Sequence, residues 1–234
     1  MTGSTFSRVG RIGLVVFALV AFATFTMAWF SGANGQVIVG VDLVYVKPEL
    51  PGAPHPLIEY FLEVAPLPAY LGVLLAFTVA VRRRWARFVA VAVVVLAAAL
   101  TGAAAVGLLT SVEDYWQPYE VQRYRGYALL TAVLAVLLLA AAGALAAGLR
   151  HAYHGFVVVL LFAAAAFQLI GTVLLAGQGV GSAMTVVPWL TAWAYLLAAG
   201  CALLALTSSA PPAAETPGPD PVLPGHTGDP VVRG

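Results

Sequence analysis

The chain has 234 residues, 62% of them hydrophobic and 9% charged, with a formal net charge of +1. A soluble domain carries roughly 25% charged residues and has too little interior to hide this much Ala, Val and Leu, whereas a bilayer needs no interior for them. The basic residues sit in short segments between apolar runs and point to no nucleic-acid partner, and the single cysteine, Cys201, excludes an intrachain disulfide framework and the Cys-based metal patterns.

Residues 1–8 are polar and end at Arg8, with Arg11 close behind. The apolar run that follows, residues 12–30, is long enough to cross a ~30 Å hydrocarbon core at about 1.5 Å per residue. It has the basic flank of a cleavable signal peptide and small residues near Ala28 and Ala33. Its length exceeds the h-region of a signal, which favours an uncleaved first span. Residues 31–64 form the first polar-leaning segment. Within it 36–46 is rich in β-branched residues and reads as extended, and Pro48, Pro51, Pro54 and Pro56 break regular structure after it. Glu59 and Glu63, four apart, share one face of an amphipathic helical turn at headgroup level. They are either solvated at the outer interface, or Glu63 dips into the bundle.

A second span, near 65–81, carries Pro66 and Pro68 at its start. It is followed by Arg82-Arg83-Arg84-Trp85-Ala86-Arg87, a turn that must lie in water because each guanidinium costs about 2.5–3.5 kcal/mol at membrane depth. The third span, near 88–109, contains Ala99, Ala103 and Gly107, and the fourth, near 127–149, contains Ala140, Ala144 and Gly148. Both repeat the small-residue spacing that lets helices approach closely. Between them the loop 110–126 is dense in acids and aromatics. A basic turn, Arg150 to His154, leads to a fifth span near 156–176, and a short loop leads to a sixth near 187–206. Residues 208–234, rich in Pro and Gly, read as a disordered tail. The expected fold is therefore all-α, a polytopic transmembrane helical bundle of about six spans. Cytoplasmic loops collect Lys and Arg, so Arg82, Arg83, Arg84 and Arg87 set the orientation, with the N- and C-termini cytoplasmic and the loops 31–64 and 110–126 outside. The Arg-over-Lys bias and the wealth of Ala, Val and Gly resemble integral proteins of high-GC bacterial inner membranes, a likeness that brings no chemistry with it.

Ionisable groups at membrane depth mark carriers and membrane enzymes, and the spans other than the second carry none, which argues against an ion-coupled carrier. Gln168 is the strongest polar group in the spans, expected to make an interhelical hydrogen bond worth about 0.6 kcal/mol. Glu63 is the other polar candidate at depth. His151 and His154 sit three apart but lack a complete ligand set, and His55 stands alone among prolines, so no metal or cofactor is expected. Catalytic motifs are lacking. Glu113, Asp114, Tyr115, Trp116, Tyr119, Glu120 and Tyr124 form the expected outer recognition face, being the residue types that anchor interfaces or line an acidic loop. Three functions follow in order. The first is a non-catalytic structural or accessory component of an envelope complex, with the bilayer and another membrane protein as partners. The second is a permease for a small, weakly charged or lipid-like solute, using Gln168, threonines and Glu63. The third is an outward-facing enzyme using two of the loop carboxylates.

Overall fold

A computed structural model describes residues 2–31, 36–50, 55–80, 86–111 and 117–207. Arg82, Arg83, Arg84, Glu113, Asp114, Tyr115, Trp116 and the tail 208–234 lie outside the described residues. The described chain is all-α apart from one small hairpin. Its helices are α1 Thr2–Thr24, α2 Pro56–Val64, α3 Leu67–Ala80, α4 Ala86–Thr110, α5 Pro118–Ala146, α6 Arg150–Leu175 and α7 Val187–Thr207. Ala and Leu favour this state locally, and a helix satisfies every interior N–H and C=O without water. Five of the helices are long and apolar enough to cross a membrane, and the α2–α3 pair makes a sixth if counted as one bent span.

The first apolar run does not stay helical to residue 30. The Thr24 hydroxyl donates to the Ala21 carbonyl at 2.6 Å, and the Phe25 and Thr26 amides make tighter bonds to Phe22 and Ala23, which closes α1. The chain then forms β1, Ala28–Ser31, antiparallel to β2, Val37–Val39. What holds it there is Trp29, fully buried between Phe25 and Phe61, whose indole N–H donates to the Thr24 carbonyl at 2.9 Å. A Cβ at Gly40 would lie 2.5 Å from that indole nitrogen, so only glycine fits beneath the ring. The extended piece expected over 36–46 is correspondingly short. From Gly40 to Glu49 the chain winds as a 3₁₀ helix interrupted at Asp42. Buried Gly40, Leu43 and Val46 fall every third residue, the period of that helix and not of a strand. The α6–α7 connection clamps the hairpin: Ser31 N–H donates to Ala183 and Thr185 N–H to Trp29, each at 2.8 Å.

Between α2 and α3 the axis bends by 51°. Pro66 and Pro68 lack amide protons and their rings clash with carbonyls one turn back, which accounts for the break. At the end of α5, Gly148 takes a φ of +84°; its N–H donates to Leu145 and that of Leu149 to Ala144. This paired closure needs a left-handed residue and turns the chain directly into α6. Gly148→Ala is expected to lower stability by about 1 kcal/mol through left-handed strain, readable as a small fall in melting temperature in detergent.

Helix α1 lies along α7, α7 along α6, and α3 against α1, while α4 and α5 form an antiparallel pair joined more sparsely to the rest through α3 and α6. Backbone meets backbone at α1–α7, where a Cβ on Gly10 would stand 2.8 Å from the backbone of both Cys201 and Ala205. Cys201 Sγ would lie 2.6 Å from a Cβ on Gly13, so the cysteine fills space at this seam. The stripe Ala99, Ala103, Gly107 and Ala140 face outward instead, and the buried faces of α4 and α5 carry Ala90, Ala97 and Thr101 on one and Ala128, Thr131 and Ala135 on the other. In a chain so rich in Ala, i+4 spacing alone does not select the packed face.

Candidate functional site: a carboxylate and tyrosine network at one end of the bundle

The proline at the start of α2 directs a short helix across the head of the bundle. His55 caps it, Nδ1 accepting from the Leu57 amide at 3.2 Å, so this histidine, expected to stand alone, has a structural task. The helix turns Ile58, Phe61 and Leu62 into the core and presents Glu59, Tyr60 and Glu63 toward the beginning of α5. Helix α5 answers with Arg123, Tyr124, Tyr127 and Thr131, spaced at three and four residues along one face.

Arg123 Nη1 donates to Glu59 Oε2 at 2.7 Å, a charge-assisted bond to a carboxylate that is only 5% exposed. The Tyr127 hydroxyl lies 2.6 Å from the Pro56 carbonyl and 3.3 Å from the same Glu59 oxygen, sharing its proton between them. Tyr124 O–H donates to Glu63 Oε1 at 2.8 Å. Thr131 gives its proton to the Tyr127 carbonyl at 2.9 Å, which makes Tyr60 the donor in the 3.2 Å bond between the Tyr60 and Thr131 hydroxyls. The rings stack as well as bond, with centroids 5.1 Å apart for Tyr60–Tyr127, 5.5 Å for Tyr124–Tyr127 and 5.4 Å for Phe61–Phe167. Tyr60–Tyr127 thus bridges α2 to α5, and Phe61–Phe167 bridges α2 to α6.

The sequence candidates divide accordingly. Glu63 is half-buried and bound to Tyr124, while Glu59 is the more deeply buried carboxylate. Tyr124, expected on the outer face, is 4% exposed and turns inward because its hydroxyl serves Glu63. Glu120 accepts from the Gln117 amide at 2.9 Å and so caps its own helix. Tyr119 is exposed, with the Arg123 guanidinium 5.7 Å from its ring centre. Gln168 is distant from this network. Buried in α6, it donates to Thr172 Oγ1 at 3.1 Å and approaches the Pro188 carbonyl at the head of α7 at 3.5 Å. Arg87 sits at the other end of the bundle, its guanidinium beside Gly148.

Below Tyr60 the network gives way to an apolar hollow of about 210 Å³ between α3, α5 and α6. Gly72, Ala163 and Ala164 leave its space open, and Leu134, Leu160 and Phe167 wall it. Behind Gly72 stands Tyr195, whose buried hydroxyl has no hydrogen-bond partner among the described residues. Among the described residues no three His, Cys, Asp or Glu side chains group as a metal site would require.

No family model matches this sequence. Comparisons with curated proteins and with solved structures also give no match, so function rests on the geometry itself.

Arg123, Tyr127, Tyr60 and His55 were not singled out from sequence as site residues. The available signal is that Arg123, Tyr124 and Tyr127 share one face of α5, as Glu59 and Glu63 share one face of α2, although Arg123 and Tyr127 both serve Glu59 and only Tyr124 serves Glu63. Gln168→Leu, by contrast, removes one interhelical bond and is expected to cost about 0.6 kcal/mol in detergent unfolding.

Proposed function

We propose that the chain is a multi-pass protein of a bacterial inner membrane, crossing six times with α2–α3 as one bent span. On this reading it is a non-catalytic accessory component of an envelope complex, with an outward recognition face. What supports the non-catalytic reading is the commitment of three acids among the described residues. Glu59 and Glu63 accept hydrogen bonds from Arg123 and Tyr124 of α5, and Glu120 accepts one from the Gln117 amide at the exposed start of its own helix. Carboxylates so engaged build a rigid platform. On that platform Tyr119, Tyr45 and Arg125 point to solvent. The permease reading lacks support of this kind, since Gln168 is bonded inside the bundle and is not part of the apolar hollow's wall.

Charge supplies the orientation. Arg8 and Arg11 border a hollow with Ala80, Arg87 lies beside Gly148, and Arg150 follows two residues on, so these cations share one end. Glu59, Glu63, Glu120 and the Arg123 that neutralises one of them occupy the other. The basic end is the cytoplasmic one by the positive-inside rule. Helix α1 remains part of the mature protein on this reading. A cut near Ala28 would part β1 and buried Trp29 from the helix whose Thr24 carbonyl the indole needs.

With Cys201 replaced by alanine, a cysteine introduced at Tyr119 is expected to react with a membrane-impermeant maleimide on intact cells. One at Arg87 should react only after permeabilisation, and the reverse pattern overturns the orientation. Alanine at Tyr119 and Arg125 should leave the melting temperature unchanged while abolishing photo-crosslinking to a neighbouring envelope protein from the outer face. Undiminished crosslinking, or none in the wild type, overturns the recognition role.

A further inference from the structure

We propose that the hollow between α3, α5 and α6, together with the network above it, is a binding site for one zwitterionic phospholipid bearing a primary ammonium headgroup. The inference rests on the membrane reading above. The chain-binding half of the site is the 210 Å³ apolar space. It exceeds the roughly 150 Å³ apolar cavity that stays dry yet takes up a benzene-sized guest. Water has no partners along Leu67, Leu134, Leu160 and Phe167, and helices packed around an empty volume forfeit dispersion contacts on one side. A hydrocarbon chain supplies them.

The headgroup half follows from charge. Tyr60 lines the hollow while its hydroxyl bonds Thr131 and its ring packs on Tyr127, so the polar cluster adjoins the hollow through this one side chain. That cluster holds both signs. Arg123 is a five-donor guanidinium whose Nη1 serves Glu59, with a side chain 26% exposed and able to offer further donors to a phosphate. Glu63 takes one proton from Tyr124 and, as a carboxylate, accepts more. Phosphate on Arg123 and ammonium on Glu63 match an ethanolamine head, and the acyl chain runs down past Tyr60. A purely anionic head would place its charge against Glu59 and Glu63.

The molecule contains its own control. A second apolar groove, of about 320 Å³ between α6 and α7 and lined by Phe162, Leu169, Ala192, Trp193 and Leu196, is at least as roomy but takes no residue from α2, so it lacks the neighbouring carboxylates and guanidinium. Full-length protein is reconstituted into phosphatidylcholine vesicles containing a small fraction of phosphatidylethanolamine with a diazirine on one acyl chain. Labelling is mapped by peptide mass spectrometry. Expected are preferential labels on the α3 and α6 residues of the hollow over the α6–α7 groove, and their loss in Ala163→Leu, which fills the hollow from its exposed side. Glu63→Gln should weaken the preference for the ethanolamine probe over the matching phosphatidylglycerol probe by about tenfold, the worth of one charge-assisted hydrogen bond. Equal labelling of both grooves, or labelling indifferent to Ala163→Leu, overturns the site while the membrane reading stands. Equal labelling by the two probes in the wild type overturns the headgroup assignment. Absence of label from both grooves overturns the membrane reading and the site with it.

Discussion

Arg123→Met lowers the unfolding free energy in mild detergent by about 2 kcal/mol, between the values for an exposed and a buried pair, because the guanidinium is a quarter exposed while the carboxylate is buried. The reason is the carboxylate left behind. Glu59 is 5% exposed, and without the guanidinium its charge keeps the Tyr127 hydroxyl, which also serves the Pro56 carbonyl. Adding Glu59→Gln should recover much of the loss, because a neutral amide at this position no longer needs a counter-charge. Chemical or thermal melts of the wild type, both single variants and the double variant form a cycle that isolates the pair. If Arg123→Met costs less than 0.5 kcal/mol, within the range of an exposed pair, the network is a surface ornament and the rigid outer platform is lost with it.

How far the sequence speaks differs between lipid-facing and site-forming residues. Long apolar runs and basic turns reveal helices because a bilayer demands internally satisfied backbone and penalises guanidinium at depth, and both demands are written in single residues. The network is written in pairs. Nothing in residues 57–64 says that Glu59 will be more buried than Glu63. That follows from the α2–α3 bend and from Arg123, more than sixty positions away along the chain. The hairpin was hidden for a similar reason. Residues 25–31 are as apolar as the helix before them, and the choice of strand depends on Trp29 finding Thr24, Gly40 and Phe61 at once. Likewise the small residues that let α1 and α7 meet backbone to backbone, Gly10 and Gly13, are fewer and less regular than the outward stripes on α4 and α5.

The second large effect belongs to that contact. Gly10→Val is expected to destabilise the bundle by about 3 kcal/mol, the upper end for overpacking a close interface. A Cβ there meets the Ala205 amide nitrogen and the Cys201 carbonyl oxygen, each at 2.8 Å, and backbone cannot rotate out of the way. Gly13→Ala differs in kind, for the nearest atom is the Cys201 sulfur at 2.6 Å. Combining it with Cys201→Ala exchanges one small group for another, and the pair should melt within a few degrees of wild type while Gly13→Ala alone does not. Equal losses for Gly13→Ala with and without the cysteine would mean that α1 does not lie against α7 at this register.

Because the first helix docks on the last, and the hairpin behind it is stitched to residues 183–185, assembly cannot finish in the order of synthesis. On the proposed membrane reading, an emerging chain must hold α1 in the bilayer with its glycine face unoccupied until residues 187–207 arrive. A nascent protein stalled short of that point would therefore display an open seam, with Thr24 lacking the hydroxyl of Thr191 that bonds it in the finished bundle. Quality-control proteases that sample polar groups inside the membrane would find their signal there, and would lose it once α7 has docked.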